Sequence, residues 1–165
     1  MILRTTVLAV GLVGALSAAQ FPAYSQQYVQ RLGGAVQALD EVVSDFDASA
    51  AALGLTRQEA LRQMHGTAFV EARRADMQIA FTRHAALSAD LASLKEMGPL
   101  MRAYRVQHMM DRDLARGAWQ SFEPALPLSL ASALFAAIGF VVASCLASGL
   151  LRLCLPRRRK VSLPA

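Results

Sequence analysis

Reactive side chains are scarce in this chain. It holds two cysteines and three histidines in 165 residues. Cys145 and Cys154 have the wrong spacing for a zinc pair. Both fall in or beside an apolar run rather than in a loop that a disulfide would brace. They read as two small apolar residues, and Cys154, next to a basic flank, meets only the positional requirement for acylation. His65, His84 and His108 include no i, i+4 pair, the spacing that builds a zinc site on one helix. His84 reads as a packed or partly exposed core histidine. His65, beside Gly66, reads as a helix-end residue where a cation suits the carbonyl dipole. There is no Ser-His-Asp order, no Gly-rich phosphate loop and no metalloprotease motif. These absences make an enzyme the weakest function class, and no catalytic residue, cofactor or metal site is assigned.

Charge is also missing from long stretches. All 12 acidic residues and 11 of the 17 basic ones lie between Arg31 and Glu123, leaving that middle one net negative charge. The other six basic residues, Arg4, Arg152, Arg157, Arg158, Arg159 and Lys160, sit in the two ends, so the excess of +5 is terminal. A nucleic-acid-binding domain would carry its positive charge on a folded face. The nearly neutral middle argues against a nucleic-acid partner, despite the CLPRRRK tail.

The uncharged stretches explain the arrangement. Pro124 to Leu151 is a run of 28 residues without a charge, long enough to cross a hydrocarbon layer of about 30 Å with some tilt. A buried core helix rarely runs this long without a polar face. Near the N-terminus, TTVLAVGLVGALSAA (5–19) follows Arg4 and reaches spanning length if extended to Tyr24. Phe21 and Tyr24 then fall where aromatics favour the interface. A cleaved signal peptide competes, with small residues Ser17 and Ala19 flanking Ala18. The helical pattern continues past that cut, which favours an uncleaved span. The expected organisation is a first span (1–24), an extracytoplasmic helical domain (25–123), a second span (124–155) and a basic cytoplasmic tail (156–165). The basic flanks place both termini in the cytoplasm by the positive-inside rule.

The middle reads as helix almost throughout. Tyr24, Tyr28, Leu32, Ala35, Leu39, Val42, Phe46, Ala50 and Leu53 recur every three or four residues and share one face. Gly54 suits a helix stop. Thr56 and Glu59 have capping-box spacing for a second helix, and Gly66 marks a break near Thr67. From Val70, the residues Met77, Ala80, His84, Leu87, Leu91 and Leu94 form a seven-residue rhythm, with Arg73 on the same seam. Such a seam calls for a partner helix, coiled-coil fashion, and the first helix offers one. Gly98-Pro99 ends that helix and starts the next, on which Met101, Tyr104 and His108 share a face. Asp111 can cap a last short helix carrying Leu114, Ala118 and Phe122, with Trp119 and Phe122 as interfacial anchors. No strand-like alternation appears. The expected fold is all-α, two transmembrane helices flanking an antiparallel helical hairpin or bundle.

Two further patterns are weaker. Asp40, Glu41, Ser44, Asp45 and Asp47 gather oxygens on one helix, but calcium prefers ligands from a turning loop, so a solvated face is favoured. Small residues recur every four positions at Gly11, Ala15 and Ala19 and at Gly139, Ala143 and Ala147. That spacing lets helix backbones approach, either span against span or between copies.

QRLGGAVQALDEVV (30–43) and SFEPALPLSLASALFAAIGF (121–140) together resemble a bacterial family of small inner-membrane proteins classed only as a domain of unknown function. The likeness covers nearly the whole chain. It implies a two-pass topology and carries no catalytic residues. The expected function is a structural or interaction module whose partners are the lipid bilayer and either itself or another membrane protein. The alternative is a ligand-sensing module like the sensory half of a chemoreceptor, against which stands the short cytoplasmic tail.

Overall fold

A computed structural model of the chain describes residues 2–124 and 128–154. Arg157, Arg158, Arg159 and Lys160 lie outside the described residues. Among the described residues seven α-helices follow in order: α1 (Ile2–Ala19), α2 (Phe21–Ala52), α3 (Arg57–Gln63), α4 (Ala68–Lys95), α5 (Pro99–Tyr104), α6 (Arg112–Gln120) and α7 (Leu130–Cys154). A 3-10 turn, Val106–Met109, lies between α5 and α6. Among the described residues no strand is present, so the fold is all-α. These residues fall into two compact units, one within Met1–Ala23 and Glu123–Ala165, the other within Tyr24–Phe122.

In the first unit α1 and α7 pack along their length, and both are long and apolar enough to cross a membrane. Gly11 lies against Phe140 and Ser144, Gly14 against Gly139 and Ala143, and Ala18 against Gly139. Phe21 and Phe135 continue the contact, their ring centroids 5.1 Å apart. Rising numbers on α1 meet falling numbers on α7, so the two helices run antiparallel. The same register brings Arg4 level with Arg152, and both are exposed. The pair is inverted relative to a water-soluble one. Small residues fill the contact, while Leu8, Leu12, Val13 and Leu16 of α1 and Ile138, Val141, Leu146 and Leu150 of α7 face outward. Ser129 caps α7, its Oγ accepting from the Ser132 amide at 3.1 Å.

Local chemistry sets the helix ends of the second unit. Gly54 (φ +68°) follows α2 and Gly66 (φ +108°) follows α3, left-handed conformations that only glycine adopts freely. Thr56 and Glu59 form the reciprocal capping box of α3. The Thr67 hydroxyl accepts from the Val70 amide to start α4, and Asp111 accepts from the Asp113 and Leu114 amides to start α6. Pro99 supplies the first turn of α5.

The core of this unit gathers Tyr28, Leu32, Val43 and Ala50 of α2, Leu87 and Leu94 of α4, Met109, and Leu114 and Ala118 of α6. Phe46 of α2 meets Phe81 of α4 edge-on at 5.3 Å, and the Arg57 guanidinium lies 4.5 Å from the Phe81 ring. Three details differ from the periodic reading. Val43 is buried and Val42 is exposed, because the steps along α2 run four, three, four rather than three, four, four. Arg73 lies off the covered face and pairs with Asp76 at 3.1 Å. Met101 and Tyr104 share a face of α5 but His108 does not continue it, since α5 ends at Tyr104 and the chain tightens to 3-10 geometry.

Candidate functional site

The densest polar chemistry in the second unit surrounds the first residues of α2, where the helix passes between α5 and α6. Gly98-Pro99 starts α5 within four residues of the end of α4, and the turn swings Arg102 back beneath α4. Arg102 is only 6% exposed. Its Nε donates to the Leu94 carbonyl at 3.2 Å and its Nη1 to the Gln26 side-chain oxygen at 2.8 Å. Leu94 belongs to the last turn of α4, and its carbonyl, which also accepts from the Met97 amide at 3.2 Å, takes a further bond from the guanidinium, supplied from the next element. Burial pulls the Arg102 pKa below the usual arginine value. Tyr28, one turn along α2 from Tyr24, is nearly sealed, and burial pushes its phenol up to about 12. It is therefore neutral at physiological pH.

A second set of bonds closes the other side. α6 has no basic residue in its own last turn. Arg31 supplies one from α2: its Nη1 donates to the Gly117 carbonyl at 3.1 Å and reaches the Ser121 hydroxyl at 3.4 Å. Gln27 donates to the Ser121 carbonyl at 2.7 Å, and the Tyr24 hydroxyl to the Ala115 carbonyl at 3.5 Å. One face of α2 thus satisfies carbonyls at the end of α6, where a cation also complements the helix dipole. A Cβ at Gly117 would fall on the Arg31 guanidinium, so glycine there makes room for the cap. Tyr24, Trp119 and Phe122 complete this end as an aromatic cluster. Tyr24 meets Trp119 at 6.3 Å and Phe122 at 6.1 Å, and Trp119 stacks on Phe122 at 6.2 Å.

The other sequence candidates disperse. His84 Nε2 lies 3.3 Å from Asp40 Oδ1, and His108 Nδ1 lies 2.7 Å from Asp90 Oδ1. His65 is exposed beside Gly66. The acidic group on α2 divides its attention: Asp40 faces His84, Asp47 accepts from Arg57 at 2.7 Å, and Ser44 bonds the Glu41 carbonyl. The Arg57 guanidinium holds the Asp47 carboxyl below its usual range, and the bonds to Thr56 do the same for Glu59. Among the described residues no three His, Cys, Asp or Glu side chains converge to hold a metal ion. Cys145 is exposed on α7 with a free thiol. Cys154 closes α7, and its side chain lies outside the described residues.

Of the small residues singled out by spacing, Gly11, Gly139 and Ala143 touch the partner helix directly. Ala15 is half-buried on the covered side of α1, and Ala19 is buried. Gly14, which the spacing did not single out, also meets the partner backbone: a Cβ there would lie 2.8 Å from the Gly139 carbonyl oxygen.

Sequence reasoning passed over Arg102 and Arg31. The signal for Arg31 was its place in QRLGG one turn past Gln27; for Arg102, a lone cation between Met101 and the small Ala103 gives no warning of burial. Comparison with curated proteins finds no match, and neither does comparison with solved structures. A family model matches residues 2–160, almost the whole length. The chain therefore belongs to the family described as protein of unknown function (DUF2937).

Proposed function

We propose that this is a two-pass bacterial inner-membrane protein in which α1 and α7 cross the bilayer. The observation that carries the reading is the inverted packing of that pair, with small residues between the helices and large apolar ones facing out. In water this arrangement would expose most of its apolar surface; in lipid, helices associate by close backbone approach. The level placement of Arg4 and Arg152 supports a common side for both ends, and the basic run 157–160 makes that side the cytoplasm. The region 25–123 is then extracytoplasmic. The order of the contacts between them, Asp40 with His84 and Phe46 with Phe81, supports an antiparallel hairpin of α2 and α4.

Its role on this reading is structural: a helical module that packs against the envelope, another membrane protein or a second copy, without a cofactor, nucleic acid or catalysis. The side chains of Arg102, Arg31 and Gln27 hold helix ends together, which supports a structural role. The test is crosslinking in native membranes followed by affinity recovery of the full chain. The expected outcome is a discrete adduct with itself or with a membrane protein; recovery of uncrosslinked monomer alone would sink the interaction role. Resistance to alkaline carbonate extraction checks the membrane reading separately.

A further inference from the structure

Helix α5 is inside out. Its one charged side chain, Arg102, is buried, while Leu100, Met101 and Tyr104 face outward, Tyr104 at 81% exposure. Their i, i+3 and i+4 spacing makes them one continuous stripe. A helix on the surface of a soluble domain presents the opposite pattern, apolar inward and charge outward.

The bonds of Arg102 fix where this stripe sits. Gln26, its partner, comes two residues after the unit begins at Tyr24. The chain enters the unit at Tyr24 and leaves at Phe122, and the rings of those two residues are 6.1 Å apart, so entry and exit share one end. At 1.5 Å per residue, Gln26 lies about 3 Å along the helix from that entry. α6, tied to Gln27 and Arg31, occupies the same end. Its exposed side carries Arg112, Arg116 and Trp119, at i, i+4 and i+7. Asp113, also exposed there, is engaged by Arg83 at 3.5 Å. Long basic stems beside a tryptophan suit a surface laid against phosphate headgroups, the stems covering apolar ground while the charges reach the phosphates.

We infer that the outward faces of α5 and α6 form a lipid-binding surface that rests in the interfacial zone of the bilayer, with Arg112 and Arg116 engaging anionic phospholipid headgroups. The inference rests on the reading of α1 and α7 as membrane spans, with which Tyr24 and Phe122 are continuous in the chain. A bilayer fits better than a second copy, because a two-fold contact through this face would set the same arginines against each other.

The experiment uses full-length protein in vesicles of phosphatidylcholine and phosphatidylglycerol. Trp119 is the single tryptophan, so Trp119→Phe gives a dark background for one reporter at a time. Tyr104→Trp reports on the stripe. Phe69→Trp is the water-facing control, about 37 Å from Leu94 along α4 at the helical rise. Position 104 is expected to be quenched by lipids carrying a nitroxide near the headgroup, and to be several-fold less accessible to aqueous acrylamide than position 69. Equal acrylamide access at both positions, in protein that resists alkaline washing, overturns the inference and leaves the membrane reading standing. Protein that washes off the vesicles overturns both. Shielding from both quenchers assigns the stripe to a protein partner and overturns the inference. Replacing phosphatidylglycerol by phosphatidylcholine is expected to reduce the shielding at 104; no change overturns the headgroup assignment.

Discussion

Arg102 concentrates the stability of the second unit on one side chain. A buried guanidinium must be hydrogen-bonded, and its bonds run to a neutral carbonyl and a neutral amide. Arg102→Met keeps most of the packing but leaves the Gln26 side-chain oxygen without its donor and the Leu94 carbonyl with backbone donors alone. The expected loss is about 1–3 kcal/mol, measured by denaturation of the detergent-solubilised chain. Arg105→Met, at a half-exposed position, is expected to stay within about 0.5 kcal/mol. The carboxylates near α3 give a pH dependence of definite sign. Asp47 and Glu59 both have folded pKa values below the ordinary 3.8 and 4.5. Their contribution is present in full above those ordinary values, and is lost as pH falls below them through the lowered folded values. Thermal midpoints of the wild type and of an Asp47→Asn, Glu59→Gln variant should therefore converge in acid and separate toward neutrality, the wild type being the more stable. The capping box was legible in the sequence because its two members are three residues apart. The buried arginine was not, because α5 has only six residues, too few for periodicity to tell which side faces in.

Helix ends followed local rules, and helix faces did so only where the helix was long. Thr56, Thr67, Pro99 and Asp111 mark starts that depend on a single turn of backbone. The covered side of α4 followed the seam from Met77 to Leu94, yet Arg73 slipped off it at the end near Gly66. In the α1–α7 pair, steps of three and four both return to the same face, so an alanine-rich run offers several registers that composition alone does not separate. The contact selects Gly11, Gly14 and Ala18, the set that lets backbone meet backbone. Gly14→Ile is expected to force the helices apart, because its Cβ would meet the Ala143 methyl and the Gly139 carbonyl. A lower thermal midpoint in detergent and a wider spacing between labels on α1 and α7 would record it. Gly149→Ala meets open space and is expected to be harmless or mildly stabilising. Gly33 and Gly34 lie mid-helix in α2, also with open space beside them. Alanine at each should add roughly 0.5–1 kcal/mol by helix propensity, read as an upward shift in denaturation midpoint.

At the scale of the whole chain, charge placement is what the proposed two-pass reading uses to assign orientation. Serine at positions 157–160 removes four of the six terminal cations. It is expected to raise the fraction of chains whose C-terminus is cut by an impermeant protease added from outside the cytoplasm. The composition of the two ends made the two long apolar helices readable without coordinates, the second from an uncharged run of 28 residues. What composition could not reveal is how the second unit closes on itself. Tyr24, Gln27 and Arg31 find their partners 91, 94 and 86 residues downstream. During synthesis, the start of α2 therefore leaves the ribosome long before the carbonyls it must cap exist. Its apolar face stays unsatisfied until α6 follows, and contacts of such sequence separation form late. The narrow interval between α6 and the second apolar run then makes closure a late event: the unit can close only once α6 has emerged, with the second apolar run close behind it. A nascent chain halted before Gly117 should be caught open, with Arg31 still waiting.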